Sequence, residues 1–303
     1  MMHRQIRTIA FIGLGRMGRP MAGHLAAAGF LLRVADRSDE AVRGFLAAHP
    51  GTACRSAREA AAGSDVLITM LPTGHDVRQV LLGRTPDDPD AAVQGLAGGS
   101  LVIDMSSSPP LLTQETGQAL ARHDIAMLDA PVSGGVMRAR NATLAIMVGG
   151  DPAAVVRARP VLAALGSTIL FTGPLGSGHA MKALNNYVSA AGLVAAAEAL
   201  LVGRRFGLDP AVMTDVFNAS TGRNNSTENK LKQQILSGAF ASGFSLDLMA
   251  KDLDTAMELA KALGVAVPLA ERLIALWREA ARRLGPGADH TEIYRFLEQR
   301  ENG

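Results

Sequence analysis

Six residues near the start of the chain, Gly13-Leu14-Gly15-Arg16-Met17-Gly18, place three glycines at the spacing that lets a backbone close around a diphosphate. They follow a short apolar run, residues 9–12, and lead into a helical stretch, the context that gives this spacing its meaning. The first glycine permits the tight turn, the second lets the diphosphate approach the backbone, and the third lets helix pack on strand. The phosphates would then sit on a helix N-terminus, where free amides and the helix dipole favour anions. Beyond Gly18, at the end of a second apolar run, stands Asp36, placed to accept hydrogen bonds from the ribose hydroxyls of a dinucleotide. A carboxylate there repels a 2′-phosphate and favours NAD over NADP. Its neighbour Arg37 offers a guanidinium that can stack on adenine, pair with a 2′-phosphate or simply lie in solvent. The expected cofactor is therefore NAD, with NADP admitted through Arg37.

A second group of residues lies far downstream. Gly176-Ser177-Gly178-His179-Ala180-Met181-Lys182 opens a helical stretch that continues through Asn185 and Asn186. Lys182 and Asn186 are four residues apart and so share a helix face. A lysine titrates near 10.4 in water, and a desolvated lysine beside another cation exchanges its proton closer to neutrality. Taken alone, a lysine on a helix is a solvated charge, and His179 reads as a helix-start residue.

Four segments change that reading: GLGRMGRPM (13–21), DAPVSGGVMRARNATL (129–144), GSGHAMKALNN (176–186) and KDL (251–253). In order and spacing they resemble the signature segments of the β-hydroxyacid dehydrogenases, and the resemblance spans nearly the whole chain. VADRSDE (34–40), ITMLP (68–72) and IDMSS (103–107) are most similar to the tartronate semialdehyde reductase branch. The resemblance implies hydride transfer between a nicotinamide cofactor and a small β-hydroxy acid or semialdehyde. It implies that Lys182 is the catalytic acid/base and that Asn186 orients substrate and lysine. Ser133, Gly134 and Gly135 would hold the substrate carboxylate, as glycine-flanked backbone amides can. Leu71, Pro72 and Ser107 would line the nicotinamide half of the cofactor, and Lys251 would close over cofactor and substrate. Alanine stands at position 142 where the family carries glycine, a difference that matters if the position needs a positive φ. Asp76 stands where some relatives have asparagine. Arg223-Asn224-Asn225 reads as a solvated loop between helices, with lining of the substrate pocket as the alternative. Two rival functions share this scaffold: imine or bulky-ketone reduction, and a non-catalytic NAD(P)-binding sensor or scaffold. Lys182, Asn186 and Lys251 together argue for an enzyme.

The elements that must position these residues alternate in the first half. Apolar runs at residues 9–12, 31–35, 66–70, 101–103, 126–128, 144–148 and 168–171 are separated by helical stretches. Ser38 and Asp151-Pro152 are helix starts, and Ser56 with Glu59 has the spacing of a capping box. Continuous apolar strands between helices imply a mostly parallel sheet covered on both faces, a doubly wound Rossmann architecture. After Gly173-Pro174-Leu175-Gly176 the strands vanish. Helices are expected at about 179–206, from Asp209-Pro210 onward, and at 227–236, 248–263, 269–284 and 291–298. The expected fold is α/β with a dinucleotide-binding domain over residues 1–175, then an all-helical substrate and oligomerisation domain over 176–303, joined by the long helix.

Composition sets the remaining bounds. With 48% hydrophobic and 19% charged residues, 303 residues suffice for two packed domains. A net charge of +2 with no basic run gives no support for nucleic-acid binding. The single cysteine, Cys54, reads as a small core residue. His3, His24, His49, His75, His123, His179 and His290 show no metal-ligand spacing. The opening residues 1–8 lack a signal-peptide pattern, and residues 188–202 read as a buried helix, so a cytoplasmic address is expected and no membrane partner. A homodimer or homotetramer is expected from the family resemblance.

Overall fold

The computed structural model describes residues 6–85 and 87–301; His3 and the rest of residues 1–5 lie outside the described residues. The first strand, β1 (Thr8–Ile12), carries apolar side chains to both faces of its sheet. Ile9 and Phe11 join one buried cluster, Ala10 and Ile12 another. Such two-sided burial with a period of two requires covering layers above and below. The chain supplies them by alternation: α1 (Gly18–Ala27), β2 (Leu31–Ala35), α2 (Asp39–Leu46), β3 (Thr52–Ala53), α3 (Ala57–Ala61), β4 (Val66–Thr69), α4 (Gly74–Leu82), β5 (Leu101–Asp104), α5 (Pro110–Ala121) and β6 (Ala126–Asp129).

These strands lie in the order β3-β2-β1-β4-β5-β6, all parallel. The winding reverses between β1 and β4, and in such sheets ligands bind beyond the carboxyl ends of the strands at that point. β7 (Val132–Ser133), α6 (Gly135–Arg140), β8 (Ala145–Gly149), α7 (Pro152–Ala163) and β9 (Thr168–Gly173) complete this part. β8 runs antiparallel to β6 and β7, and β9 runs parallel to β8.

The helical part comprises α8 (Ser177–Phe206), α9 (Pro210–Ala219), α10 (Asn225–Asn229), a π-helical turn over Leu231–Leu236, α11 (Leu246–Ala262), α12 (Pro268–Leu284), a 3₁₀ turn over His290–Glu292, and α13 (Ile293–Glu301). Ala190, Leu193, Ala197 and Leu200 recur at helical spacing on α8 and join the fully buried Trp277 and Phe296 in its core. By length and composition alone α8 is apolar enough to cross a membrane; half of its apolar window is buried inside the structure.

The fold is thus a Rossmann-like sheet with helices, followed by an all-helical part. Two compact units divide the chain, Met1–Lys182 and Ala183–Gly303. That division falls inside α8, a few residues beyond the boundary expected at residue 175.

Three local readings are corrected. Ser56 does accept from the Glu59 amide, but the Glu59 carboxylate takes the Arg55 amide at 2.9 Å rather than that of Ser56, so only half of a capping box forms. The helix expected over residues 227–236 is instead α10 followed by the π turn, with Lys230 at the break. The two-residue strands β3 and β7 were too short to show as apolar runs.

Candidate active site

The glycine loop leaves the carboxyl end of β1. Gly13 has φ +102° and donates its amide to the Ala35 carbonyl at 3.0 Å. A Cβ at Gly13 would strike the Met70 carbonyl, and one at Gly18 would strike the Gly13 carbonyl, so both positions need glycine for close packing. A Cβ at Gly15 would meet nothing within 4 Å, which leaves open space beside that backbone. The N-terminus of α1 has no side-chain cap and no acidic residue in its first turn, so its amides remain for an anion. Leu14 is buried, whereas Gly15 and Arg16 are exposed and Met17 is half-buried. Asp36 braces this loop: Oδ2 accepts from the Leu14 amide at 2.6 Å and Oδ1 from the Ser38 amide at 2.8 Å. Each oxygen keeps a further lone pair for a ribose hydroxyl. Arg37 is exposed beside it. The open cradle, the uncapped helix and the placed carboxylate all fit a dinucleotide.

The loops after β4 and β5 are tied to each other. The Leu71 amide donates to Ser106 Oγ at 2.9 Å. Beneath them the buried carboxylate of Asp104 accepts from Thr69 Oγ1 (2.9 Å), the Ser106 amide (3.0 Å) and Ser108 Oγ (2.7 Å). This leaves Leu71 and Ser107 half-buried and Pro72 exposed at the carboxyl edge of the sheet. Asp76 is engaged locally: it accepts from Thr73 Oγ1 at 2.6 Å and closes the first turn of α4.

His179 is more than a helix-start residue. It is buried, its Nδ1 meets Thr113 Oγ1 at 2.9 Å, and its Nε2 meets the Ser106 carbonyl at 3.2 Å. A carbonyl oxygen only accepts, so Nε2 is the donor. The buried Asp129 at the end of β6 accepts from the Gly176 amide at 2.8 Å and the His179 amide at 2.7 Å, capping α8 from the sheet. Asp129 and His179 therefore fix the start of the helix that carries Lys182, and His179 links it to the Ser106–Ser107 wall. Sequence reasoning missed this because Asp104, Thr113 and Asp129 lie 50 or more positions away from His179.

Ser133 ends β7, opposite Ala145 of β8. Gly134 and Gly135 follow with φ of +125° and +65°, turning the chain into α6 in a way that strains other residues. Ala142, at φ +52°, occupies left-handed backbone, so the methyl does sit where glycine is favoured.

Lys182 is half-buried on α8, one turn beyond His179. Within the helical unit Asn186 is buried, and its Nδ2 donates to Asp252 Oδ2 at 2.6 Å. Lys251 Nζ lies 3.5 Å from Asp252 Oδ1, so the buried Asp252 holds both neighbours. An acid on the apolar face of α11, next to Lys251, was the available signal for Asp252. Arg223 pairs with Glu228, and Asn224 caps α10, so both serve their own loop. Cys54 is buried, and burial raises its thiol pKa above the usual range. Among the described residues no cluster of three or more His, Cys, Asp or Glu side chains could hold a metal ion.

Comparison with known proteins places this geometry. Residues 8–173 match the NAD binding domain of 6-phosphogluconate dehydrogenase, and residues 176–297 match the NAD-binding family of NADP-dependent 3-hydroxyisobutyrate dehydrogenase. The chain is 39% identical to an NAD-dependent L-serine dehydrogenase of Pseudomonas aeruginosa, over 90% of this chain and 92% of that protein. It is 35% identical to a 2-(hydroxymethyl)glutarate dehydrogenase of Eubacterium barkeri, over 96% and 95%. A solved structure of the 3-hydroxyisobutyrate dehydrogenase of Mycobacterium tuberculosis with L-serine superposes with a TM-score of 0.87 at 36% identity, over 97% and 99% of the two chains. The chain belongs to the β-hydroxyacid dehydrogenase family, the NAD(P)-dependent oxidoreductases that act on a CH–OH group.

Proposed function

We propose that this protein interconverts a small β-hydroxy acid and its semialdehyde, with NAD preferred over NADP. The observation that carries the proposal is the anchoring of α8. Asp129 and His179 fix the first turn of α8, one turn before Lys182, within the unit that contains the glycine cradle and the Ser106–Ser107 wall. A nicotinamide cofactor held by the glycine loop and Asp36 would supply the hydride acceptor or donor. Lys182 exchanges a proton with the substrate oxygen, and Asn186, held by Asp252, orients the two. The amides around Ser133, Gly134 and Gly135 receive the substrate carboxylate. Lys251, beside Asp252 on α11, closes over cofactor and substrate. Leu71, Pro72 and Ser107 line the nicotinamide side. Asp36 favours NAD because a carboxylate repels a 2′-phosphate.

Exposed apolar residues on α8 and α9, including Val202, Phe206, Val212 and Val216, support a homodimer or homotetramer. The functional test is a kcat/KM panel of L-serine, 3-hydroxyisobutyrate, glycerate and 2-(hydroxymethyl)glutarate with NAD and NADP. At least one substrate should be oxidised, more efficiently with NAD. Equal efficiency with both cofactors would remove the NAD preference, and no oxidation across the panel would remove the substrate class.

A further inference from the structure

Lys230 stands at the break between α10 and the π turn, where one continuous helix was expected. Its backbone has φ −127° and ψ −41°, outside the helical run on either side. Local π-helical turns are rare and frequently mark functional sites. Here the side chain reaches α8: Lys230 Nζ donates to Ser189 Oγ at 3.3 Å. Ser189 lies seven residues after Lys182 and three after Asn186, so the three share one stripe of the helix. At 1.5 Å per residue, Ser189 is about 10 Å along the axis from Lys182.

The surroundings of Lys230 lack a dedicated counter-charge. Among the described residues no carboxylate comes within ion-pair distance of its ammonium, which uses one of three donors on a protein partner. Asp289 acts on it electrostatically from farther away. The Asp289 carboxylate is already committed to Ser242 Oγ, the Gly243 amide, and the amide and hydroxyl of Thr291. His290 lies in the same group, and burial holds its pKa down to about 4, so it is neutral at pH 7. Burial also pulls Lys230 down to about 8, against the pull of Asp289. A partly desolvated ammonium with no paired acid is costly, and an arriving anion would offset that cost.

We infer that Lys230, with Ser189, binds a second carboxylate of the substrate, so the preferred substrate is a β-hydroxy acid with a further carboxylate on a short side arm. This inference rests on the function proposed above. Lys182 and Asn186 act on the reacting hydroxyl, and Lys230 receives the arm farther along the same helix stripe.

Two probes isolate the effect. 3-Hydroxyisobutyrate and 2-(hydroxymethyl)glutarate share the reacting hydroxymethyl and first carboxylate; the second replaces a methyl with a two-methylene arm ending in carboxylate. The wild-type kcat/KM ratio should favour the dicarboxylate at pH 7 by at least about tenfold. Lys230→Met should lower that ratio on the order of 10- to 100-fold, the range expected for a hydrogen bond to a charged group. Lys230→Arg should retain part of it. In the wild type the ratio should fall between about pH 7 and 9, as free-enzyme Lys230 loses its proton; of the titratable groups around it, Asp289 stays ionised and His290 neutral across that range, so neither adds a step to it. If Lys230→Met does not fold, the wild-type pH dependence decides. A wild-type ratio near one, or a ratio insensitive to Lys230→Met and to pH, would overturn the inference while leaving the proposed function in place. No oxidation of either substrate by the wild type would overturn both.

Discussion

Ala142 shows how much one methyl group can reveal. Its φ of +52° is left-handed, where a Cβ meets the following carbonyl at a cost of about 1–2 kcal/mol. Ala142→Gly should therefore stabilise the protein, by about 1 kcal/mol after the greater chain entropy of glycine is subtracted, with a higher urea midpoint at unchanged slope. A lower midpoint would show that the alanine methyl makes contacts worth more than its strain. Lys230 works in the opposite direction. Its pKa falls from 10.5 unfolded to about 8 folded because burial disfavours the charge. Below pH 8 both states are protonated and the folded one carries the full penalty. Between 8 and 10.5 the unfolded chain binds more protons, so the penalty fades as pH rises. Lys230→Met should be more stable than wild type at pH 7, by on the order of 2 kcal/mol, with the gap closing by about pH 10. Equal denaturation midpoints at pH 7 would contradict that burial cost.

Elements with strong local punctuation were legible from the residues alone. Asp151-Pro152 and Asp209-Pro210 start α7 and α9 with the aspartate capping each, and Ser38 caps α2 through the Ala41 amide. β1, β4 and β5 were legible because both of their faces are buried, which leaves a nearly unbroken apolar run, and β2 was legible from Leu32, Val34 and Ala35 although Leu31 is exposed and Arg33 half-buried. The glycine cradle and Asp36 were legible because their spacing is local. The Asp129–His179 network was not, since its members meet only through tertiary pairing of the sheet edge with the start of α8. Nor was the π turn at Lys230, because the residues around it have ordinary helical composition. The role of Asp129 can be measured. Asp129→Ala removes the acceptor for two buried amides at the start of α8 and should cost about 1–3 kcal/mol of stability. His179→Gln keeps α8 capped but alters the side-chain link to the Ser106 carbonyl. It should lower kcat on the order of tenfold with little change in KM for NAD. Unaltered kcat would show that the link to Ser106 has no positioning role.

At the scale of the whole molecule, stability and function both trace to groups held away from water. The unfolded His290 imidazole takes a proton near pH 6.5, whereas the folded one resists to about 4 because it is buried near Lys230. In between, the unfolded chain binds more protons, so stability falls as pH drops from about 6.5 to 4. His290→Gln should flatten that part of the denaturation profile, and an equally steep decline would assign the acid sensitivity to other groups. The proposed site residues fall in both units: the glycine loop and Lys182 in the sheet unit, and Asn186, Asp252, Lys251 and Lys230 in the helical unit. The central claim is that Lys182 exchanges the substrate proton. Its most direct test is kcat/KM of Lys182→Ala against wild type, on the best substrate of the panel, alongside cofactor affinity. The account predicts a loss of at least about 100-fold with NAD binding retained, within the range of acid–base catalysis. Activity within about tenfold of wild type would contradict it.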